Sequence, residues 1–214
     1  MNRCISLILI CVLLTVSKDN TDMATWTYTV TDGYAYSHYQ LSGNALNVKD
    51  YLESQGFSAG AVIGIIANME HESFMNPGQC EIGYDMSTAR GYGLVQWTPG
   101  TKIINYASSV GGNWYDGDVQ MDFLMQNAPA SWSSAYPVTW NDYKNLLDPY
   151  YATEVFFYNF ERGTWHNVMY DYADYWYNYL YGSTPPTPPP TPPPTPPGDY
   201  NIIALAMYSA KTWH

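Results

Sequence analysis

Hydrophobic and polar positions alternate over residues 25–31, with Trp26, Tyr28 and Val30 on one side and threonines on the other. Asp32-Gly33 follows, and Tyr34, Tyr36 and His38 then alternate again, so the pattern predicts a β-hairpin within residues 18–40. Near Asn44 the spacing becomes helical. Val48, Tyr51, Leu52 and Gln55 share one face, and Gly56 supplies a C-terminal stop. Ser58 then offers an N-cap to a strongly apolar helix carrying Ala61, Val62, Ile65, Ile66 and Met69 and ending near Ser73. Residues 74–92 read as loop, rich in Gly, Asn, Pro and Asp. Further helical patterns cover residues 101–109, 118–126, 152–160 and 165–180, punctuated by Gly111-Gly112 and by Pro129, Pro137 and Pro149. The expectation is a mostly α domain over residues 41–182, preceded by the hairpin.

The two ends differ from this core. Residues 1–17 combine Arg3 with an apolar run from Ile5 to Val16, too short to span a bilayer comfortably, which predicts a signal peptide or an N-terminal anchor. Residues 183–198 contain PPTPPPTPPPTPP, a semi-rigid polyproline linker that cannot join a packed core. Residues 199–214 are too short for a domain, and Ile202, Ile203, Leu205 and Met207 suggest an apolar strand or docking tail.

Composition narrows the function. Of 214 residues 46% are hydrophobic and only 13% charged, so Tyr, Asn, Ser, Thr and Gly must cover much of the surface. The 22 Tyr and 8 Trp suit contact with flat polar sugar rings, although core packing must claim most of them. A net charge of −11 argues against nucleic acid as a partner, because nucleic acid rewards clustered Lys and Arg. Cys4 and Cys11 lie in the N-terminal apolar run, so Cys80 stands alone in the rest of the chain as a free thiol.

The chemistry concentrates in NMEHESFMNPGQ, residues 68–79, and GYGLVQWTP, residues 91–99. A helix that is apolar throughout and ends in carboxylates makes a good proton donor, because partial burial disfavours the charged form. Cleaving a glycosidic bond needs such an acid beside the leaving oxygen. Periodicity does not choose between Glu70 and Glu72, which flank the apolar stripe on opposite shoulders. On spacing alone, either is more often a solvated helix-end residue than an acid catalyst.

The ordered motifs resemble the phage tail lysozyme family, within the superfamily of lysozymes and soluble lytic transglycosylases. They are Asn68, Met69, Glu72, Ser73, Asn76 and Pro77; then Gly91, Tyr92, Gly93, Leu94, Gln96 and Trp97; then Val119, Gln120, Phe123 and Leu124; then Phe160, Glu161 and Arg162. The likeness covers about residues 41–182. It implies a lysozyme-like helical domain acting on bacterial peptidoglycan glycan strands without cofactor or metal. Glu72 would be the catalytic acid and Glu70 a supporting or solvated residue. Gln96 would reach a sugar N-acetyl group, with Tyr92, Trp97 and Ser73 also contacting substrate; Trp97 equally suits a core plug. Glu161 and Arg162 are expected to pair with each other and pack the last helices. Two departures are Lys102, where an arginine is usual, and Gly163, where a proline is usual.

For a second carboxylate, Asp85 is preferred because it lies in the loop joining the motifs, ahead of Glu81, Asp116 and Asp118. The resemblance leaves open whether water or the sugar's own 6-hydroxyl attacks. It implies a virion tail component, whereas the leader implies secretion, and the C-terminal tail would meet other tail or secretion-apparatus proteins. No membrane contact is expected apart from the leader.

Other readings fare worse. His71-Glu72 begins a zinc-protease pattern, but Met75 stands where the second histidine is needed. A wall peptidase built on Cys80 with His166 or His71 has no local signature. Gly91-Tyr92-Gly93 lacks the context of a phosphate loop. A non-catalytic wall-binding or virion structural module on the same fold is the alternative from another class, and Glu72, Ser73 and Gln96 speak against it.

Overall fold

The computed structural model describes residues 25–182. The expected leader, part of the expected hairpin, the Pro-rich linker and the tail lie outside these residues. Within them the chain forms α1 (Ser42–Ser54), α2 (Ala59–Ser73), α3 (Thr101–Ser109), α4 (Gly117–Ser131), the single turn α5 (Trp140–Tyr143), α6 (Pro149–Phe156) and α7 (Val168–Tyr181). A π-helical turn, Phe157–Glu161, continues α6. No helix among the described residues is long and apolar enough to cross a membrane.

The core is built around α2, whose residues from Gly60 to Glu70 are all buried. It starts where Ser58 Oγ accepts the Ala61 N–H at 3.3 Å, the cap expected for a serine before an apolar run. Helices α1, α6 and α7 pack around it. Gly64 makes the close approach of α6 feasible, since a Cβ there would fall 2.6 Å from the Ala152 carbonyl carbon. Asn68 ties the same pair by donating to the Thr153 carbonyl at 3.1 Å. α6 begins with Pro149 in its first turn and Asp148 accepting the Tyr150 N–H at 2.9 Å. Pro129, expected to break the chain, lies inside α4 instead. It falls in the last turn, and the helix ends two residues later.

Residues 25–39 are not a hairpin among the described residues. They form an extended strap whose ladder bonds run to side chains as well as backbone. Asn44 accepts the Thr27 N–H at 2.9 Å and donates to the Thr27 carbonyl at 2.7 Å. Asn76 does the same for Thr29, at 3.1 and 2.8 Å. Thr31 then pairs with backbone, donating to Gly78 O at 3.1 Å and accepting from Cys80 N at 2.7 Å. Two asparagines thus take the place of a partner strand, and the alternation seen in the sequence has this cause. Cys80 also bridges to Tyr92, and Tyr92 to Trp97, so a small β patch joins the strap to the loops after α2.

Candidate active site

Helix α2 ends abruptly because Phe74 and Met75 both take left-handed conformations, φ 56° and 61°. The reversal leaves Glu72 on the last turn, facing a cleft of about 470 Å³. Glu81, Gln96, Tyr84 and Glu161 line the same cleft. Burial pushes the Glu72 carboxyl up to about 7, with the Glu81 charge adding to the effect. It is therefore an acid that still holds its proton near neutrality. Glu81 is held from two sides: its Oε2 accepts the Gly91 N–H at 3.2 Å, and its Oε1 lies 3.8 Å from an Arg90 nitrogen.

Glu70 has a different role. It is fully buried, and its Oε1 accepts the Tyr39 N–H at 2.9 Å and meets His38 Nδ1 at 3.0 Å. His38 Nε2 in turn lies 3.0 Å from the Tyr172 hydroxyl. Burial raises the Glu70 carboxyl while Tyr39, His38 and, least, Trp176 pull it back, and its Oε2 has no hydrogen-bond partner. Glu70 thus fastens the strap to α2 and takes no part in the cleft wall.

The other expected site residues separate into two groups. Gln96 lines the cleft, and its Nε2 donates to Gln79 O at 3.2 Å and Gly93 O at 2.9 Å, which leaves Oε1 to accept a bond. Ser73, Tyr92 and Trp97 are buried instead. The Ser73 hydroxyl shares its proton between Met69 O, 3.0 Å, and Leu94 O, 2.9 Å. Tyr92 donates to the Met86 carbonyl and packs edge-on against Trp114. Trp97 packs on Phe123. All three hold the cleft-forming loops and are not among the residues lining the cleft. Asp85 is exposed, with φ 52°, and is not among the residues lining the cleft. The carboxylates that do share the cleft with Glu72 are Glu81 and Glu161.

Gln120 was legible only as part of a motif. Its Oε1 accepts the Leu94 N–H at 2.8 Å, and its Nε2 donates at 2.7 Å to both Pro77 O and Trp114 O. It therefore joins the loop after α2 to the Gly-Tyr-Gly-Leu loop. Glu161 and Arg162 do not form the expected pair: Arg162 donates to Ser131 O at 3.0 Å and to Phe160 O at 3.3 Å. Burial pushes the Cys80 thiol up, the reverse of what a nucleophilic thiolate requires. No group of three or more His, Cys, Asp or Glu suited to hold a metal occurs among the described residues.

A family profile described as phage tail lysozyme matches residues 43–180. Over 72 residues, 34% of the chain, the sequence is 39% identical to Morphogenesis protein 1 of Bacillus phage B103, and the match spans 20% of that relative's length.

Proposed function

The chain belongs to the phage tail lysozyme family, and from that premise we propose that it cleaves the β-1,4 bond between N-acetylmuramic acid and N-acetylglucosamine in peptidoglycan. The observation that carries this reading is Glu72, a carboxyl raised to about 7 on the cleft wall with the Glu81 charge beside it. Two carboxyls with environments this different suit an acid and an ion stabiliser. Glu72 gives its proton to the glycosidic oxygen as the bond from that oxygen to the sugar C1 breaks. Glu81 steadies the positive charge that develops at C1. When water attacks, its oxygen bonds to C1 and its surplus proton returns to the carboxylates. When the sugar's 6-hydroxyl attacks, its oxygen bonds to C1, its proton returns to the carboxylates in the same way, and a 1,6-anhydro end forms instead. Gln96 Oε1 accepts from the sugar's acetamido N–H.

The place of action that fits the family and the phage relative is a virion or the outside of a cell, with the glycan strand as substrate. A non-catalytic virion role is the second reading, since the relative's printed name concerns morphogenesis. A wall-binding protein has no use for a carboxyl held protonated in a cleft, and this favours the enzyme. Digestion of purified peptidoglycan, with released ends identified by mass spectrometry, decides between them. New reducing or anhydro-muramic ends are expected from the wild type and none from Glu72→Gln. Wall binding without new ends from the wild type would select the structural reading.

A further inference from the structure

Glu161 closes the π-helical turn that follows α6. The turn is sealed by the Arg162 N–H donating to Phe157 O at 2.7 Å, and Arg162 itself is left-handed, φ 61°. π-turns insert one residue into a helix and re-aim the side chains after it, which is why they recur at functional sites. Here the turn puts Glu161 on the cleft that Glu72 lines. Its Oε1 is sealed from solvent and has no hydrogen-bond partner. Arg162, the neighbouring cation, spends its guanidinium on two backbone carbonyls outside the cleft. A buried carboxyl oxygen without a partner is costly unless the group is neutral or acquires a partner during function.

We propose that Glu161 is a positioning residue for the catalytic acid, offering its O–H to the Glu72 carboxylate once Glu72 has given its proton to the leaving oxygen. This rests on the reading of Glu72 as that acid. No proton is transferred in the step: Glu161 keeps its hydrogen and donates a bond to the newly formed anion. A donor aimed at charge that develops only during reaction lowers the barrier without tightening ground-state binding. The charges around the pair are consistent with a neutral Glu161. Burial and the Glu72 charge raise its carboxyl well above the ordinary range, and Arg162 opposes them only in part. The Glu81 charge raises Glu72, and His71, on the same turn of α2, is pushed down by burial and by His166 and His38.

The test is the pH dependence of kcat on soluble peptidoglycan fragments for the wild type, Glu161→Met, Glu161→Gln and Glu72→Gln, with folding checked by thermal unfolding. Glu161→Met should lower kcat roughly thirtyfold with little change in KM, the scale of one hydrogen bond to a charged group. Its basic limb should move to higher pH, because the Glu72 carboxylate has lost a donor. Glu161→Gln should recover most of the lost rate, since its amide still donates. A basic limb that moves to lower pH in either variant would show that Glu161 is charged and would overturn the proposal. So would equal losses in both variants with an unmoved limb, the mark of a packing role, or a Glu161→Met enzyme with wild-type kcat. Should Glu161→Met fail to fold, the direction of the limb in Glu161→Gln decides. An active Glu72→Gln would instead remove the reading of Glu72 as the acid, and this inference with it.

Discussion

The fully buried Gln120 accepts the Leu94 N–H at 2.8 Å, while its amide nitrogen serves the carbonyls of Pro77 and Trp114. One buried side chain on α4 therefore fixes the two loops that frame the cleft. Gly93 sits against it so closely that a Cβ would fall 2.6 Å from Gln120 Oε1.

Replacing Gln120 with leucine keeps the volume roughly constant but strands one N–H and two carbonyls. A cost of about 3 kcal/mol is expected, since each buried group left unpaired costs about 1–3 kcal/mol and the loops relax in part. Urea unfolding should show a lower midpoint with the slope nearly unchanged. A loss below about 1 kcal/mol would mean that water replaces the amide and that the loops are held elsewhere.

Glu72 links stability to pH. Its carboxyl is raised from an ordinary 4.5 to about 7, so between these values the folded chain binds a proton that the unfolded chain has lost. That contribution is complete below about pH 4.5 and disappears as pH rises through 7. Glu72→Gln carries no such charge. Its melting temperature should therefore gain on the wild type between pH 5 and pH 8, and the comparison removes the parallel contributions of other raised carboxyls. Parallel pH curves for the two proteins would place the titrating acid elsewhere.

Much of this was legible in the sequence, for identifiable reasons. α2 declares itself through Ser58 and an unbroken apolar run, and Glu72 stands at its end. The strap departs from the expected hairpin because alternation looks the same whether the partner is a strand or the side chains of Asn44 and Asn76. An aromatic ring does not show in sequence which side of a loop it packs on, so the motif points Tyr92 to the groove and leaves Trp97 open between groove and core; both pack inward. Asp85 is favoured in sequence only by its place between the motifs. Glu81 instead reaches the cleft because Cys80 beside it donates its N–H to Thr31 O of the strap and bridges to Tyr92, a pairing over distance that no local pattern encodes. α5 is a single turn and the π-turn has no composition of its own, so the position of Glu161 could only come from the fold.

Glu81 and Asp85 can be separated by experiment. Glu81→Gln should lower kcat by about a hundredfold, the scale of a carboxylate acting on the developing charge. It should also move the basic limb of activity to lower pH, because the Glu81 charge helps to keep Glu72 protonated. Asp85→Asn, on an exposed turn, should stay within about twofold of wild type. A larger loss in Asp85→Asn than in Glu81→Gln would show that the loop closes over the substrate and that Asp85 is the second carboxylate.

The strap sets the smallest unit that should fold. Helical patterning and the family match both begin just after residue 40, which suggests that residues 41–182 suffice. The hydrogen bonds disagree. Removing residues 25–40 would leave Glu70, fully buried, without the Tyr39 N–H and His38, and would strip Asn44 and Asn76 of Thr27 and Thr29. It would also uncover Gly117, against which Trp26 lies so closely that a Cβ there would meet its ring at 2.0 Å, and would free Asp118 from the Trp26 indole. Buried polar groups left unpaired cost about 1–3 kcal/mol each, and a whole domain is stable by only about 5–15 kcal/mol. Three such residues exposed to loss at once are enough to take most of that margin. Residues 25–182 should therefore unfold cooperatively and clear peptidoglycan, whereas residues 41–182 should aggregate or melt at least about 10 °C lower. Equal melting temperatures for the two pieces would show that α1 and α2 hold Glu72 in place without the strap.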